Sequence, residues 1–197
     1  GALLGGLCGG PEGTAVVNTA YSFQGLLVQR GVVYHPYPLH LRYVCNSGRD
    51  LLWVISVASQ AISRNTRMPL LDLSYASAGP TTRMGFYEAA AIAAASVVSG
   101  ASLEVQGQAK AAIDHLGPLE PRFAVEIAHA AAGMRRADAN DLVRSLLSRY
   151  EEEIPNPPEG KKSQECIDIK TGAPVKQYLQ LYNEIRKEVE DYGIQLR

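Results

Sequence analysis

The chain has 197 residues, 46% of them hydrophobic, and a net charge of −1 from 19 basic and 20 acidic residues. That length suits one domain with a real core, and so even a charge balance argues against a nucleic-acid partner. Cys8, Cys45 and Cys166 are scattered and odd in number, which disfavours a disulfide framework and a metal cluster and points to a reducing, cytoplasmic setting. No apolar run approaches the roughly 20 residues that cross a bilayer, and Gly1–Gly6 has no basic signal-peptide start.

Ala2 to Gly10 reads as a strand entered partway, running into a glycine loop. Gly5 to Gly13 fits neither a Walker motif nor GxGxxG, so a phosphate cradle there is a weak reading. Thr14 to Gln29 reads as a helix, with Val16, Val17, Ala20, Phe23 and Leu27 at helical spacing and Gly31 as its stop. Val32 to Val44 is β-rich, Leu39, Leu41 and Tyr43 alternating with His40 and Arg42, while Pro36 and Pro38 make its middle irregular. After the turn Asn46-Ser47-Gly48, Asp50 to Ser63 is predicted helical, with Leu51, Leu52, Ile55, Ala58 and Ile62 on one face.

Pro69 to Tyr75 is a predicted buried strand that opens into Ser74–Ala78 and a Gly79-Pro80 stop. Thr81 or Thr82 can cap the next helix, Arg83 to Val98, whose alanines should let it sit close against a sheet. Ser102 to Gly107 is a further strand, and Gly117–Pro121 links it to a helix from Pro121 to Ala132 that stops at Gly133. Asn140 to Glu153 is predicted amphipathic and helical, Ile154 to Gly160 a proline-rich connection, and Lys161 to Thr171 extended and polar. Pro174 to Tyr192 is a charged helix with Val175, Tyr178, Leu179, Tyr182, Ile185 and Val189 on one stripe. No strand remains for this tail to follow, so it is expected to cap or clasp something.

A buried strand, a short loop and a helix form the repeating unit of an α/β barrel, in which chemistry sits where the strands end. A closed (β/α)8 barrel needs eight strands and ~250 residues, so the expectation is its second half: residues 1–135 as barrel and 136–197 as a helical extension packed on it. Such a half leaves open sheet edges that the rest of a longer chain, or another subunit, must cover. Tyr75 and Ser77 are then the first residues to place facing a substrate. On pattern alone, the better account of Ser74, Ser77 and Ala78 is that they are small so that a helix can pack closely.

Several stretches resemble one family, the monomethylamine methyltransferases. They are Ser163-Gln164-Glu165-Cys166-Ile167-Asp168-Ile169-Lys170-Thr171 with Pro174 and Tyr178–Tyr182, and Glu120-Pro121-Arg122-Phe123 with Glu126 and Ala131–Met134. Ala78-Gly79-Pro80 with Met84 and Glu88, Pro38–Arg42, and Gly5-Gly6 with Gly9-Gly10 complete them, in order, from near residue 1 to near residue 193. The resemblance is to the C-terminal part of a longer enzyme. It implies a (β/α)8 barrel that assembles as a homo-oligomer and moves the methyl group of methylamine to the Co(I) corrinoid carried by a partner protein. It implies no cofactor bound directly. The family's electrophile, pyrrolysine, and an active-site Glu both fall outside this sequence. The family's active-site Tyr matches Tyr75, and a Gln two residues earlier corresponds to Leu73, an aliphatic side chain where the family has an amide.

Tyr75 can donate a proton and Leu73 cannot. Tyr75 is therefore the candidate catalytic residue, with core filling as its alternative. Leu73, Ser77, His40 and Arg42 are the candidate substrate-binding residues. A lone His among apolar residues is also an ordinary hydrogen-bonded structural group, and Arg42 could bind a carboxylate in this chain or in a corrinoid partner. Glu88 reads as a helix-start charge or a salt-bridge member. Glu104 and Gln106 point inward if Leu103 and Val105 face the helices. Lys161-Lys162 and Arg135-Arg136 read as solvated surface. A second function class is open: a non-catalytic half-barrel for assembly or corrinoid-protein docking.

Overall fold

The computed structural model describes residues 1–105 and 113–196. Within them, β1 (Leu3–Leu4), β2 (Leu39–His40), β3 (Leu71–Ser74) and β4 (Ser102–Val105) alternate with α1 (Pro11–Leu27), α2 (Arg49–Asn65), α3 (Arg83–Val98) and α4 (Leu119–Ala131). The helices α5 (Arg136–Leu147), α6 (Ser163–Cys166) and α7 (Lys176–Glu190) follow, with a 3-10 turn at Glu151–Glu153. β1 pairs with β2 and β3 with β4, both in parallel, the second pair in the register Leu71↔Ser102 to Ser74↔Val105. Between the pairs, Tyr34 bridges Leu70 in parallel, and Leu71 and Leu73 donate to the carbonyls of Tyr34 and Pro36 at 3.0 and 3.2 Å. The backbone thus runs as parallel strands in sequence order, each followed by a helix, as the strand–loop–helix reading expected.

Prolines explain why the second strand is broken: neither Pro36 nor Pro38 can donate to a ladder, although the Pro36 carbonyl still accepts. The expected alternation through Tyr43 fails because β2 stops at His40. There the His40 ring accepts from the backbone N–H groups of Arg42 and Tyr43, and Val44 turns at φ 50°.

Helix α1 starts three residues earlier than expected, because Pro11 at the first turn gives up no needed N–H. It ends before Arg30, and it is Arg30 rather than Gly31 that takes the positive φ of 53°. Its orientation is the larger departure. Thr14, Ala15, Asn18, Ser22 and Gly25 face inward, while Val16, Phe23 and Leu27 lie exposed. Gly25 forces this choice: a Cβ there would sit 2.5 Å from the Tyr34 ring, so only the small-residue face can approach the strand layer.

The core is centred on α3. Every residue from Met84 to Ser96 is buried, a run that needs cover on all sides. Helices α4, α5 and α7 supply it, not a sheet alone. Phe86 stacks edge-on with Phe123 of α4 at 5.6 Å and lies 6.1 and 6.2 Å from Tyr178 and Tyr182 of α7. Leu142, Leu146, Leu147 and Tyr150 add the α5 side. The expected helix over Asn140–Glu153 runs instead from Arg136 to Leu147, and the expected extended segment after Lys161 holds the single turn α6. Thr82 caps α3 as expected, its hydroxyl oxygen accepting from Gly85 at 3.1 Å.

Candidate active site

The loop after β3, residues 75–82, is held by side chains that lie far away in sequence. Asn46 is fully buried and clasps the end of β3. Its backbone N–H donates to the Tyr75 carbonyl (2.9 Å), its Oδ1 accepts from the Tyr75 N–H (2.9 Å), and its Nδ2 donates to the Leu73 carbonyl (2.6 Å). One side-chain amide here completes the ladder that β2 abandons, satisfying backbone groups that would otherwise be buried unpaired.

Glu88, fully buried on α3, holds the next part. Its Oε1 accepts from the Ser77 N–H (2.8 Å), the Ser77 hydroxyl (2.7 Å) and the Ser47 hydroxyl (2.5 Å), and its Oε2 from the Ala78 N–H (2.9 Å). Burial pushes this carboxyl up from the usual range, and the hydroxyl and backbone donors pull it back down. Glu88 is thus neither a helix-start charge nor a salt-bridge member. It is the knot that ties the loops after the second and third strands together.

A second buried carboxylate, Glu120 of α4, accepts from the Thr81 N–H at 2.9 Å and from the Tyr178 hydroxyl of α7. Desolvation raises Glu120 to about 7, against the pull of those donors. The C-terminal segment closes over the same loop. The Gly79 N–H donates to the Pro158 carbonyl (2.9 Å), and the Lys161 N–H to the Pro80 carbonyl (3.2 Å). Only glycine fits at 79, since a Cβ there would lie 1.7 Å from the Glu159 carbonyl oxygen. The Tyr150 hydroxyl donates to the Ser47 carbonyl (2.7 Å), His115 Nδ1 lies 2.8 Å from the Glu159 carbonyl, and the Ser163 hydroxyl donates to the Asp114 carbonyl (3.1 Å). The tail therefore grips the loops after β2, β3 and β4, the ends of the strands where barrel chemistry sits.

The two faces of β3 differ in chemistry. Asp72 faces the helices: the Ser59 hydroxyl of α2 reaches it at 3.1 Å, and desolvation raises its carboxyl to about 7. Leu71, Leu73 and Tyr75 point the other way. In the parallel register Glu104 lies beside Leu73 on that inner face, and Leu103 and Val105 pack with the helices, as inward Glu104 requires. Gln106 lies outside the described residues. Glu104 Oε2 sits 3.1 Å from His35 Nδ1. The His35 ring meets the Tyr37 ring edge-on at 5.7 Å, and Tyr37 lies 6.5 Å from Tyr75 at a tilt of 32°. The pair His35–Glu104 reaches across β3 above Leu73, which is 2% exposed.

Of the residues expected at the site, Tyr75 and Leu73 share this inner face. Tyr75 is half-buried, and its hydroxyl makes no hydrogen bond among the described residues. Ser77, expected to face a substrate, instead gives its N–H and its hydroxyl to Glu88. His40 stands apart, capping its own turn and stacking on Tyr43 at 4.4 Å, with burial lowering its pKa. Arg42 is exposed and lies over the Tyr43 ring at 5.6 Å. Asn46, His35 and Tyr37 escaped the sequence reading. Asn46 was visible only as part of a turn, and the other two lie in the segment set aside for its prolines. Among the described residues, no three His, Cys, Asp or Glu side chains are placed to hold a metal ion, and no helix is long and apolar enough to cross a membrane.

Parallel strands in sequence order, each handing over to a helix, with buried carboxylates fixing the loops at the strand ends, define a mixed α/β protein with its candidate site on those loops. The chain belongs to the family of the monomethylamine methyltransferase MtmB, whose family model matches residues 2–194. It is 32% identical over 195 residues to monomethylamine methyltransferase MtmB3 of Methanosarcina barkeri strain Fusaro, covering 98% of this chain and 42% of that protein. It is equally similar, at 32% over 195 residues with the same coverage, to MtmB of Methanosarcina mazei. The crystal structure of the Methanosarcina barkeri monomethylamine methyltransferase superposes with a TM-score of 0.95 at 31% identity, covering 99% of this chain and 43% of that one. The crystal structure of a hydroxylamine complex of MtmB superposes equally well, with a TM-score of 0.95. The chain spans about two fifths of the length of these relatives.

Proposed function

We propose that this chain forms the C-terminal half of a (β/α)8 barrel, residues 1–135 as barrel and 136–197 as extension, in a homo-oligomeric monomethylamine methyltransferase. The assembled enzyme moves the methyl group of monomethylamine to the Co(I) corrinoid of a partner protein in the cytoplasm. The cobalt belongs to that partner, and no residue here is assigned to hold it. The observation that carries this reading is the superposition at TM-score 0.95 over 99% of the chain. The parallel βα order supports it, because β1 and β4 each pair on one side only among the described residues and the remaining strands of a barrel would pair the other.

In this reading the inner face of β3 looks into the barrel. Tyr75 offers its hydroxyl there as the proton donor, and Leu73 offers no hydrogen bond. Asn46 and Glu88 position Tyr75 through the backbone, and the tail keeps the loops from moving. The test is methyl transfer from monomethylamine to a Co(I) corrinoid protein by the full-length protein, followed in the visible spectrum of the cobalt. Transfer establishes the reading. A full-length protein that transfers from no methylamine overturns it and leaves the non-catalytic docking module.

A further inference from the structure

We propose that Tyr37 and Tyr75, backed by the Glu104–His35 pair, form the subsite that seats a small alkylammonium cation on the inner face of the strands. The proposal rests on the methylamine reading above and adds to it the residues that recognise the cation.

The residues come together from different strands. His35 and Tyr37 belong to the irregular segment that pairs with β3, Tyr75 directly follows β3, and Glu104 lies on β4. The bridge Tyr34↔Leu70 fixes their side. Tyr34 packs with Leu70, Ile62 and Met68 on the helix side, so its neighbours His35 and, two further on, Tyr37 face the opposite way.

The chemistry of the cluster suits a small cation. An ammonium group within about 6 Å of an aromatic centroid is attracted by the electron-rich ring face. Tyr37 and Tyr75 have centroids 6.5 Å apart and are inclined by 32°, so a small cation placed between the rings can lie within that range of both centroids. Tyr37 is 38% exposed and able to receive it. Glu104 supplies the negative charge, and its contact with His35 at 3.1 Å holds the carboxylate across β3. His35 in turn braces Tyr37 at 5.7 Å. The rings contact the cation, whereas His35 acts through Tyr37 and Glu104 and is a positioning residue.

The test uses the full-length protein, with methylammonium chloride as probe and sodium chloride as control, in binding titrations and steady-state kinetics. Replacing Tyr37 by Phe keeps the ring face and should leave methylammonium affinity within about twofold. Tyr37→Leu removes it and should weaken binding roughly threefold to thirtyfold. The same loss should appear in KM with kcat nearly unchanged, the signature of lost uniform binding. Glu104→Gln, which keeps the size of the side chain, should weaken methylammonium binding in the same direction and leave sodium without effect. Binding that is absent in the unaltered protein, or equal in Tyr37→Leu and the unaltered protein, overturns the subsite, as does a Phe variant as weak as the Leu variant. Methyl transfer with an unchanged KM in Tyr37→Leu sinks the subsite and leaves the methyltransferase reading standing. Ring-dependent methylammonium binding without any methyl transfer does the reverse.

Discussion

At the scale of single residues, Glu88 ties the loops together and Tyr75 is the residue on which the proposed chemistry turns. Glu88 accepts four hydrogen bonds from three residues that lie between 10 and 41 positions away. Glu88→Gln removes one acceptor oxygen and turns an NH2 group toward buried donors, leaving at least one of them unpaired. Each such group costs about 1–3 kcal/mol, so urea unfolding should show a loss of that order. Tyr75→Phe removes a hydroxyl that bonds to nothing among the described residues. If the proposed methyl transfer is its activity, turnover of the full-length protein should fall by about 10²–10⁴, the usual worth of a positioned proton donor, with the urea midpoint unchanged. Turnover equal to the parent would return Tyr75 to core packing. Tyr75 was legible as a strand-end residue, because an apolar run leads into it and a Gly-Pro stop follows; its catalytic role is part of the proposal. Glu88 was not, because a single acid in an alanine helix carries no local sign of partners that reach it from two other loops.

Among elements, α3 and α1 show what patterning conveys. The bounds of α3, Arg83 to Val98, were readable because a Thr cap, a glycine after the end and a long alanine run all agree. What the run packs against was not readable, since alanine permits close approach to sheet and helix alike. Ala90, Ala91, Ala93 and Ala94 are fully buried between the strands and the helices α4, α5 and α7. Ala93→Leu adds bulk with nowhere to go, and overpacking of this kind costs about 1–3 kcal/mol; thermal unfolding of the variant should come at a lower temperature. Helix α1 misled for a related reason. Its apolar spacing is real, but Gly25 and Tyr34 decide which face goes in. That decision comes from a contact nine residues away, and helical periodicity holds no trace of it. The second strand fell short because proline effects and a histidine-capped turn outweigh a short β-like alternation.

For the whole molecule, buried carboxyls set the response to pH. Asp72 is raised from 3.8 to about 7, and Glu120 from 4.5 to about 7, both chiefly by desolvation. A carboxyl raised in the folded state favours folding below its unfolded pKa, and that contribution is lost as pH climbs to the folded value. Each unit corresponds to about 1.4 kcal/mol, so Asp72 alone should weaken folding by about 2 kcal/mol between about pH 5.5 and about pH 7. Glu188, lowered by Tyr87 and Arg83, acts in the opposite sense but below the usual carboxylate range, outside this window; His40, lowered by burial, opposes the trend within it, and Glu88, raised by burial, adds to it. Melting curves should therefore shift down on going from mildly acidic to neutral buffer. Asp72→Asn should flatten that slope, with Glu120 leaving a remainder. The parallel order of strands was legible from the strand–loop–helix repeats. The tail's role was legible only as an expectation that it must clasp something; its targets are mostly main-chain N–H and carbonyl groups, which the side-chain alphabet does not advertise.

Synthesis delivers a chain from its N-terminus. The strands and the loops at their ends leave the ribosome before Pro158, Glu159 and Lys161 exist. A nascent polypeptide stalled short of Pro158 can already zip its sheet, yet its rim stays unlatched, because the carbonyl that receives the Gly79 N–H and the N–H that reaches the Pro80 carbonyl have not been made. Premature termination in this region would release a product whose rim is loose and whose α3 lacks the cover that Tyr178, Tyr182 and Ile185 of α7 provide.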